Sequence, residues 1–212
     1  MRWTRVALLL VVLGAIAVAL GDRLPGCSPS PAFSSSTLRA VARIDRLRGA
    51  HREPGDARHG PLGEAAGAVP DGTTVFDDEI PGVARLDPAL LGALRQAAVD
   101  AADDGVELVV DSGWRSPAYQ RQLLREAVLK YGSEAEASRW VATPTTSAHV
   151  SGDAVDIGPS ASAAWLSEHG AAYGLCQVYG NEPWHYELRP EAVDRGCPAL
   201  YADATQDPRM QR

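Results

Sequence analysis

An uninterrupted apolar run, residues 6–20, follows Arg2 and Arg5 at the start of this chain. A basic segment followed by an apolar one is the pattern of an export signal. The run is shorter than the ~20 residues of an ordinary membrane span, but Trp3, Thr4 and Gly21 extend it enough. Two outcomes follow. Residues 1–21 are either an uncleaved anchor, with its arginines held in the cytoplasm, or a signal peptide cleaved at the small residues Ala17-Val18-Ala19. The first is favoured. Either way the rest of the chain must fold outside the cytoplasm, membrane-anchored at the cell surface or secreted, where disulfides can form. A third outcome, lipidation of Cys27 in Leu24-Pro25-Gly26-Cys27, is weakened by Asp22, Arg23 and Pro25.

Beyond this run, residues 22–70 read as an extracytoplasmic tether. They are rich in Ser, Pro, Gly, Ala and Arg, and such segments bury too little apolar surface to offset chain entropy. Within them, residues 37–48 can form a short helix with Leu38, Val41, Ile44 and Leu47 on one side. Its arginines suit anionic lipid, although a solvated segment is the plainer reading. His51 and His59 have no partners at metal-ligand spacing and read as linker residues. Charge divides the chain at about the same place. Residues 1–60 carry nine arginines against four acids, while the remainder carries 11 basic and 23 acidic residues, within a net charge of −7. A domain that acidic repels phosphate backbones, which excludes a nucleic-acid partner. With 45% hydrophobic and 22% charged residues, the chain is neither wholly disordered nor a multi-span membrane protein.

The folded domain is expected over residues 71–200, with 201–212 as a tail. Asp87-Pro88 begins a helix that runs to about Asp104, with Leu90, Leu91, Leu94, Ala97 and Ala98 on one face. Residues 106–111 read as a strand. Ser116-Pro117 opens a second helix to about Tyr131, and residues 133–141 read as a third. Residues 154–157 suggest a strand, 162–173 a helix and 184–188 a strand. Helices and strands do not alternate strictly. This favours an α+β fold with a small central antiparallel sheet flanked by helices over a doubly wound one.

Three segments carry chemistry. They are Ser147-Ala148-His149-Val150-Ser151-Gly152-Asp153-Ala154-Val155-Asp156, then Glu182-Pro183-Trp184-His185-Tyr186-Glu187, and Ser112-Gly113-Trp114-Arg115-Ser116 followed by Gln120. Taken singly, each fits a turn cap or a surface polar residue. Together they hold two histidines and a carboxylate, the usual protein shell of a catalytic zinc ion. His149 and Asp156 are seven apart, and Gly152 permits the bend that lets them converge. His185 supplies a third ligand from a later strand. No His-Glu-x-x-His helix is present, so this zinc site sits on strands and loops. Pro183 biases Glu182 toward an extended conformation. That can bring its carboxylate within reach of a water at the metal, as a general base requires; a surface turn residue is the equally weighted alternative.

The succession S-G-W-R-S with Gln120, S-x-H-x-x-G-x-A-x-D and E-P-W-H resembles the VanY-type D-alanyl-D-alanine carboxypeptidases. That zinc peptidase group also includes D-Ala-D-Ala dipeptidases, L,D-carboxypeptidases and endolysin peptidases. The resemblance covers about residues 86–188. It implies zinc held by His149, Asp156 and His185, Glu182 as catalytic base and Arg115 as the arginine that stabilises the transition state. Gln120 and Ser147 fall on positions lining the substrate site. The implied reaction is removal of the C-terminal D-Ala from peptidoglycan stem peptides. The plainer readings are a surface arginine paired with Asp111, a solvated Gln120 and a turn Ser147. Departures are Ala148 where the family often has Glu, an acidic Asp153 that adds charge near the metal, Trp114 for Tyr, and only residues 176–181 before Glu182. The short segment should leave the cleft open on that side. Cys176 and Cys197 flank the last strand and are expected to pair, closing a loop worth roughly 3 kcal/mol in the chain-entropy model. Cys27 is left over. The rival readings are cleavage of another bond (L,D-carboxypeptidase, dipeptidase or endopeptidase) and a non-catalytic cell-wall-binding module.

Overall fold

The structure, a computed structural model, describes residues 62–211. The apolar run 6–20, Cys27 and residues 37–48 lie outside the described residues. Among those described, no helix is long and apolar enough to cross a membrane.

Four strands, β1 (Val109–Ser112), β2 (Ala154–Gly158), β3 (Leu175–Gln177) and β4 (His185–Leu188), form one sheet in the order β1-β2-β4-β3. All its pairings are antiparallel. The helices are α1 (Pro81–Ala84), α2 (Pro88–Asp103), α3 (Pro117–Tyr131), α4 (Glu134–Ala137), α5 (Ala148–Ser151), α6 (Ser160–His169) and α7 (Ala192–Arg195). The architecture is α+β, as the order of elements predicts.

Local chemistry explains the long helices. The Asp87 carboxylate accepts from the amides of Ala89 and Leu90, and Pro88 takes the first helical position of α2, where its missing N–H costs nothing. The apolar spacing then buries Leu90, Leu94, Ala97, Ala98 and Ala101 against the sheet. In α3, the Ser116 hydroxyl accepts from the Tyr119 amide, and the helix ends at Gly132. Alternation along the strands sorts the sheet's two faces. Val155, Ile157 and Tyr186 point into the main core with Leu90, Leu94, Trp165 and Leu166. Asp156, His185 and Glu187 alternate with them and point to the other face. The register sets Asp156 directly opposite His185.

Several elements differ from expectation for tertiary reasons. The strand expected over 106–111 starts only at Val109. The Val106 amide closes the end of α2 on the Ala101 carbonyl (2.8 Å), and Leu108 is buried in the core. A bulge between Val110 and Ser112 then shifts the pairing with β2. The helix expected over 133–141 keeps one turn. Beyond it, Trp140 stacks on Tyr131 at 5.7 Å and Arg139 bonds Asp203 at 2.9 Å. Strand β3 had no sequence signal of its own.

The folded part is longer than residues 71–200. Ala66 and Ala68, assigned by composition to the tether, are buried with Tyr119, and the Ser116 amide donates to the Ala66 carbonyl (2.8 Å). Gly67 has φ 103°, and a Cβ there would meet the Trp114 carbonyl oxygen at 2.2 Å. Residues 201–211, expected as a tail, pack Ala204 and Met210 against Val178 and Tyr179. A small apolar cluster plus side-chain bonds holds each stretch, and average composition does not register such partners. Cys176 and Cys197 are disulfide-bonded, Cα atoms 5.5 Å apart.

Candidate active site

Opposed side chains on β2 and β4 start the site. Asp156 Oδ1 lies 3.1 Å from His185 Nδ1 and 3.4 Å from His149 Nε2. His149 sits on the one-turn helix α5, not on a strand or loop as the spacing suggests. Gly152 ends that turn with φ 85°, and a Cβ there would meet the Arg85 carbonyl oxygen at 2.5 Å. The chain therefore folds back into β2 only with glycine at this point, which brings His149 over Asp156. One donor atom from each of the three residues lies within 4.8 Å of the others, and all three residues are buried. Ligands about 2.0–2.1 Å from a tetrahedral zinc lie about 3.3 Å from one another. The two edges at Asp156 match that spacing, and two imidazoles with one carboxylate are the donors zinc prefers. The residues present fit the metal.

Around this triangle stand the other residues singled out in the sequence. Glu182 is buried, with Oε2 3.9 Å from His185 Nδ1. The turn that aims it closes through the His185 amide donating to the Glu182 carbonyl (3.1 Å). The Arg115 guanidinium donates from Nη2 to Asp156 Oδ2 (2.7 Å) and from Nε to the Ser112 hydroxyl (2.7 Å). Asp156 therefore turns one oxygen to the histidines and the other to Arg115. Gln120 is buried rather than solvated, donating to the Ala142 carbonyl (2.9 Å) and accepting from Arg115 Nη1 (3.4 Å). Ser147 is buried just before α5. All seven line one cavity of about 350 Å³, with Tyr179, Trp184 and Met210 in its walls.

The family model for D-alanyl-D-alanine carboxypeptidases, VanY, matches residues 83–191, slightly more than half of the chain. The chain belongs to this family. A D-alanyl-D-alanine carboxypeptidase of Enterococcus faecalis (strain ATCC 700802 / V583) is 34% identical over 39% of this chain. The chain spans 40% of that curated relative's length. A crystal structure of a mutant vancomycin-resistance D,D-pentapeptidase VanY from a VanB-type cassette, in complex with Zn(II), is similar with TM-score 0.50 and 29% identity. It covers 54% of this chain and 80% of that one. VanYB in complex with D-alanine-D-alanine is similar with TM-score 0.48 and 29% identity, over 52% and 74%.

Electrostatics in this VanY-family site separate its carboxylates. Burial opposes ionisation of Asp156, but His149, His185 and Arg115 outweigh it and hold the carboxyl well below its usual range. Burial, with Arg115 nearby, lowers His149 and favours the neutral imidazole, which is the form that ligates. For His185, burial is overcome by hydrogen bonds to Asp156 and Glu187, which push it up to about 9; a cation there competes with a proton. Burial raises Glu182 to about 7 against the pull of His185 and Arg115. That is the range in which a general base works at neutral pH.

The groups behind the histidines carry no motif of their own in the sequence. His149 Nδ1 lies 2.8 Å from the Gly113 carbonyl, and His185 Nε2 lies 3.4 Å from Glu187 Oε1. Both leave the opposite ring nitrogen for the triangle. Glu187 was findable, since a residue two places after His185 on a strand shares its face. A backbone carbonyl carries no sequence signal. Among the departures from the family pattern, Asp153 is exposed, accepts from the Ser151 hydroxyl (2.6 Å) and is not in the cavity wall. Trp114 carries the Arg85 guanidinium over its ring at 4.3 Å.

Proposed function

We propose that this chain is a zinc-dependent D,D-carboxypeptidase that removes the C-terminal D-Ala of peptidoglycan stem peptides. The observation that carries this reading is the buried triangle of His149, Asp156 and His185, with Glu182 and Arg115 on the same cavity. A binding module has no use for a buried carboxylate set beside such a triangle. The names of the similar proteins, a D-alanyl-D-alanine carboxypeptidase and a zinc-bound VanY, support the same substrate and metal. Export through residues 6–20, with that segment retained as a membrane anchor, is the placement that reaches the substrate.

His149, Asp156 and His185 would hold the zinc, which when bound would supply Lewis acidity at the reacting centre. Glu182 takes the proton from the attacking water and returns it to the leaving amine nitrogen, so the base becomes the acid. Arg115, permanently charged and held by Asp156, Ser112 and Gln120, is placed to stabilise negative charge on the substrate. Gln120 and Ser147 border the space where the peptide lies.

Purified full chain is to be incubated with muropeptides and the products weighed by mass spectrometry. Loss of one alanine from pentapeptides ending in D-Ala-D-Ala is expected. Loss from tetrapeptides instead assigns L,D-specificity, and intact muropeptides throughout overturn the enzyme reading. Glu182→Gln should lower turnover at least ~10²-fold, the low end for general base catalysis, with zinc content unchanged. Near-wild-type turnover in this variant removes Glu182 from the role.

A further inference from the structure

His185 is bracketed on three sides. Asp156 meets Nδ1, Glu187 meets Nε2 at 3.4 Å, and the Tyr179 ring packs beside it at 5.1 Å. Two of these three contacts lead to the last residues of the chain. Glu187 is 1% exposed, and its carboxylate accepts from Arg209 at 2.6 Å (Nη1) and 3.1 Å (Nη2), and from Arg189 at 2.7 Å. Arg209 is itself set by Asp207, which is fully buried. Asp207 accepts from Arg209 Nε at 2.9 Å, from the Arg209 amide at 2.9 Å and from the Tyr179 hydroxyl at 3.0 Å. The family match ends at residue 191, so this support lies beyond the shared part of the chain.

We propose that the C-terminal segment 203–211 is a working part of the metal site, with Arg209 as its positioning residue. This rests on the zinc reading above. A neutral imidazole has one N–H. A fixed acceptor at Nε2 places the hydrogen there and leaves the Nδ1 lone pair for the metal. Glu187 is that acceptor, and it needs a fixed direction. A buried carboxylate takes its direction from its donors, and a two-nitrogen guanidinium contact fixes a plane where a single donor does not. Arg209 supplies the contact that reaches both carboxylate oxygens. Without it, Glu187 turns toward Arg189 and releases the imidazole.

The test uses the full chain stripped of metal, with zinc affinity measured by competition with a chromophoric chelator. Two further readouts are the visible spectrum of the cobalt-loaded protein and the ¹⁵N shifts of His185. Arg209→Met should weaken zinc binding about 10–100-fold, the range for lost outer support of a ligand, and should shift the cobalt bands and the His185 ¹⁵N signals. Arg209→Lys should restore part of both, and Arg195→Met, at an exposed arginine, should change neither. If Arg209→Met does not fold, Glu187→Gln carries the test, since it keeps an acceptor oxygen but not the charge that orders the arginines. Wild-type zinc affinity and an unchanged cobalt spectrum in the folded variant overturn the inference alone. Wild-type protein that takes up no zinc overturns the zinc reading and this inference with it.

Discussion

Val155, Ile157 and Tyr186 on one face of the sheet meet Leu90, Leu94, Trp165 and Leu166; one residue along the same strands, Asp156, His185 and Glu187 face a cavity and a cluster of arginines. The first face is held by removal of apolar area from water, about 25 cal/mol per Å². That term has no direction and tolerates swaps that conserve volume. The second face buries charge, which costs stability unless every group is paired, and its value lies in direction. Asp156 divides its two oxygens between the histidines and Arg115, while Glu187 shares Oε1 between His185 and Arg209 and Oε2 between Arg209 and Arg189. One period-2 strand can therefore supply the stability of the fold and the geometry of the site without either disturbing the other.

That separation can be broken by experiment. The largest effect belongs to the polar face. His185→Ala should take zinc content from one equivalent to background and lower turnover at least as far as Glu182→Gln does. Retention of a full equivalent, measured by atomic absorption, would remove His185 from the ligand set. On the apolar face, Leu94→Ala should cost about 2–5 kcal/mol in denaturant unfolding and leave the zinc affinity of the folded protein unchanged. A parallel fall in affinity would show that the two faces are coupled. Opening the Cys176–Cys197 link with a double serine variant should cost roughly 3 kcal/mol. Because Cys176 pairs in register with Glu187, zinc affinity in that variant tests whether the edge strand holds the polar face. Asp87→Ala, at the cap of α2 and outside the cavity wall, should cost about 1 kcal/mol, read as a lower thermal midpoint with activity at 25 °C intact, since the Asp87 amide that holds the Gly152 carbonyl is kept.

Much of this was legible because the deciding forces are local. Asp87-Pro88 and Ser116-Pro117 are helix starts in any context, and the stripe from Leu90 to Ala101 states which side of α2 is buried. Alternation in residues 154–157 and 185–188 separates core from site, and the motif order brings His149, Asp156, His185, Glu182 and Arg115 to one place. Residues 106–108 read as strand but went to the helix end, because the Val106 amide found a closer acceptor in Ala101. Residues 133–141 read as helix but were drawn away by Tyr131 and Asp203. In both cases a specific contact, to the end of the preceding helix for Val106 and to a residue 64 positions on for Arg139, offered more than the local preference, and propensity is a weak prior against such contacts.

The sequence by itself determined the class of fold, the helix starts, the set of residues that gather at the candidate site, and the pairing of two cysteines. The helix starts depend on residue type and short spacing, while the site set rests on the resemblance of three separated motifs to the VanY family. The tertiary structure alone decided that the bulge after Val110 re-aims the strand beside Asp156, that the Gly113 carbonyl orients His149, that residues 62–70 and 201–211 belong to the folded unit, and that Arg209 stands behind His185. Each of these is a directional bond or a small packing contact between segments tens of residues apart, and linear order does not encode where such partners meet.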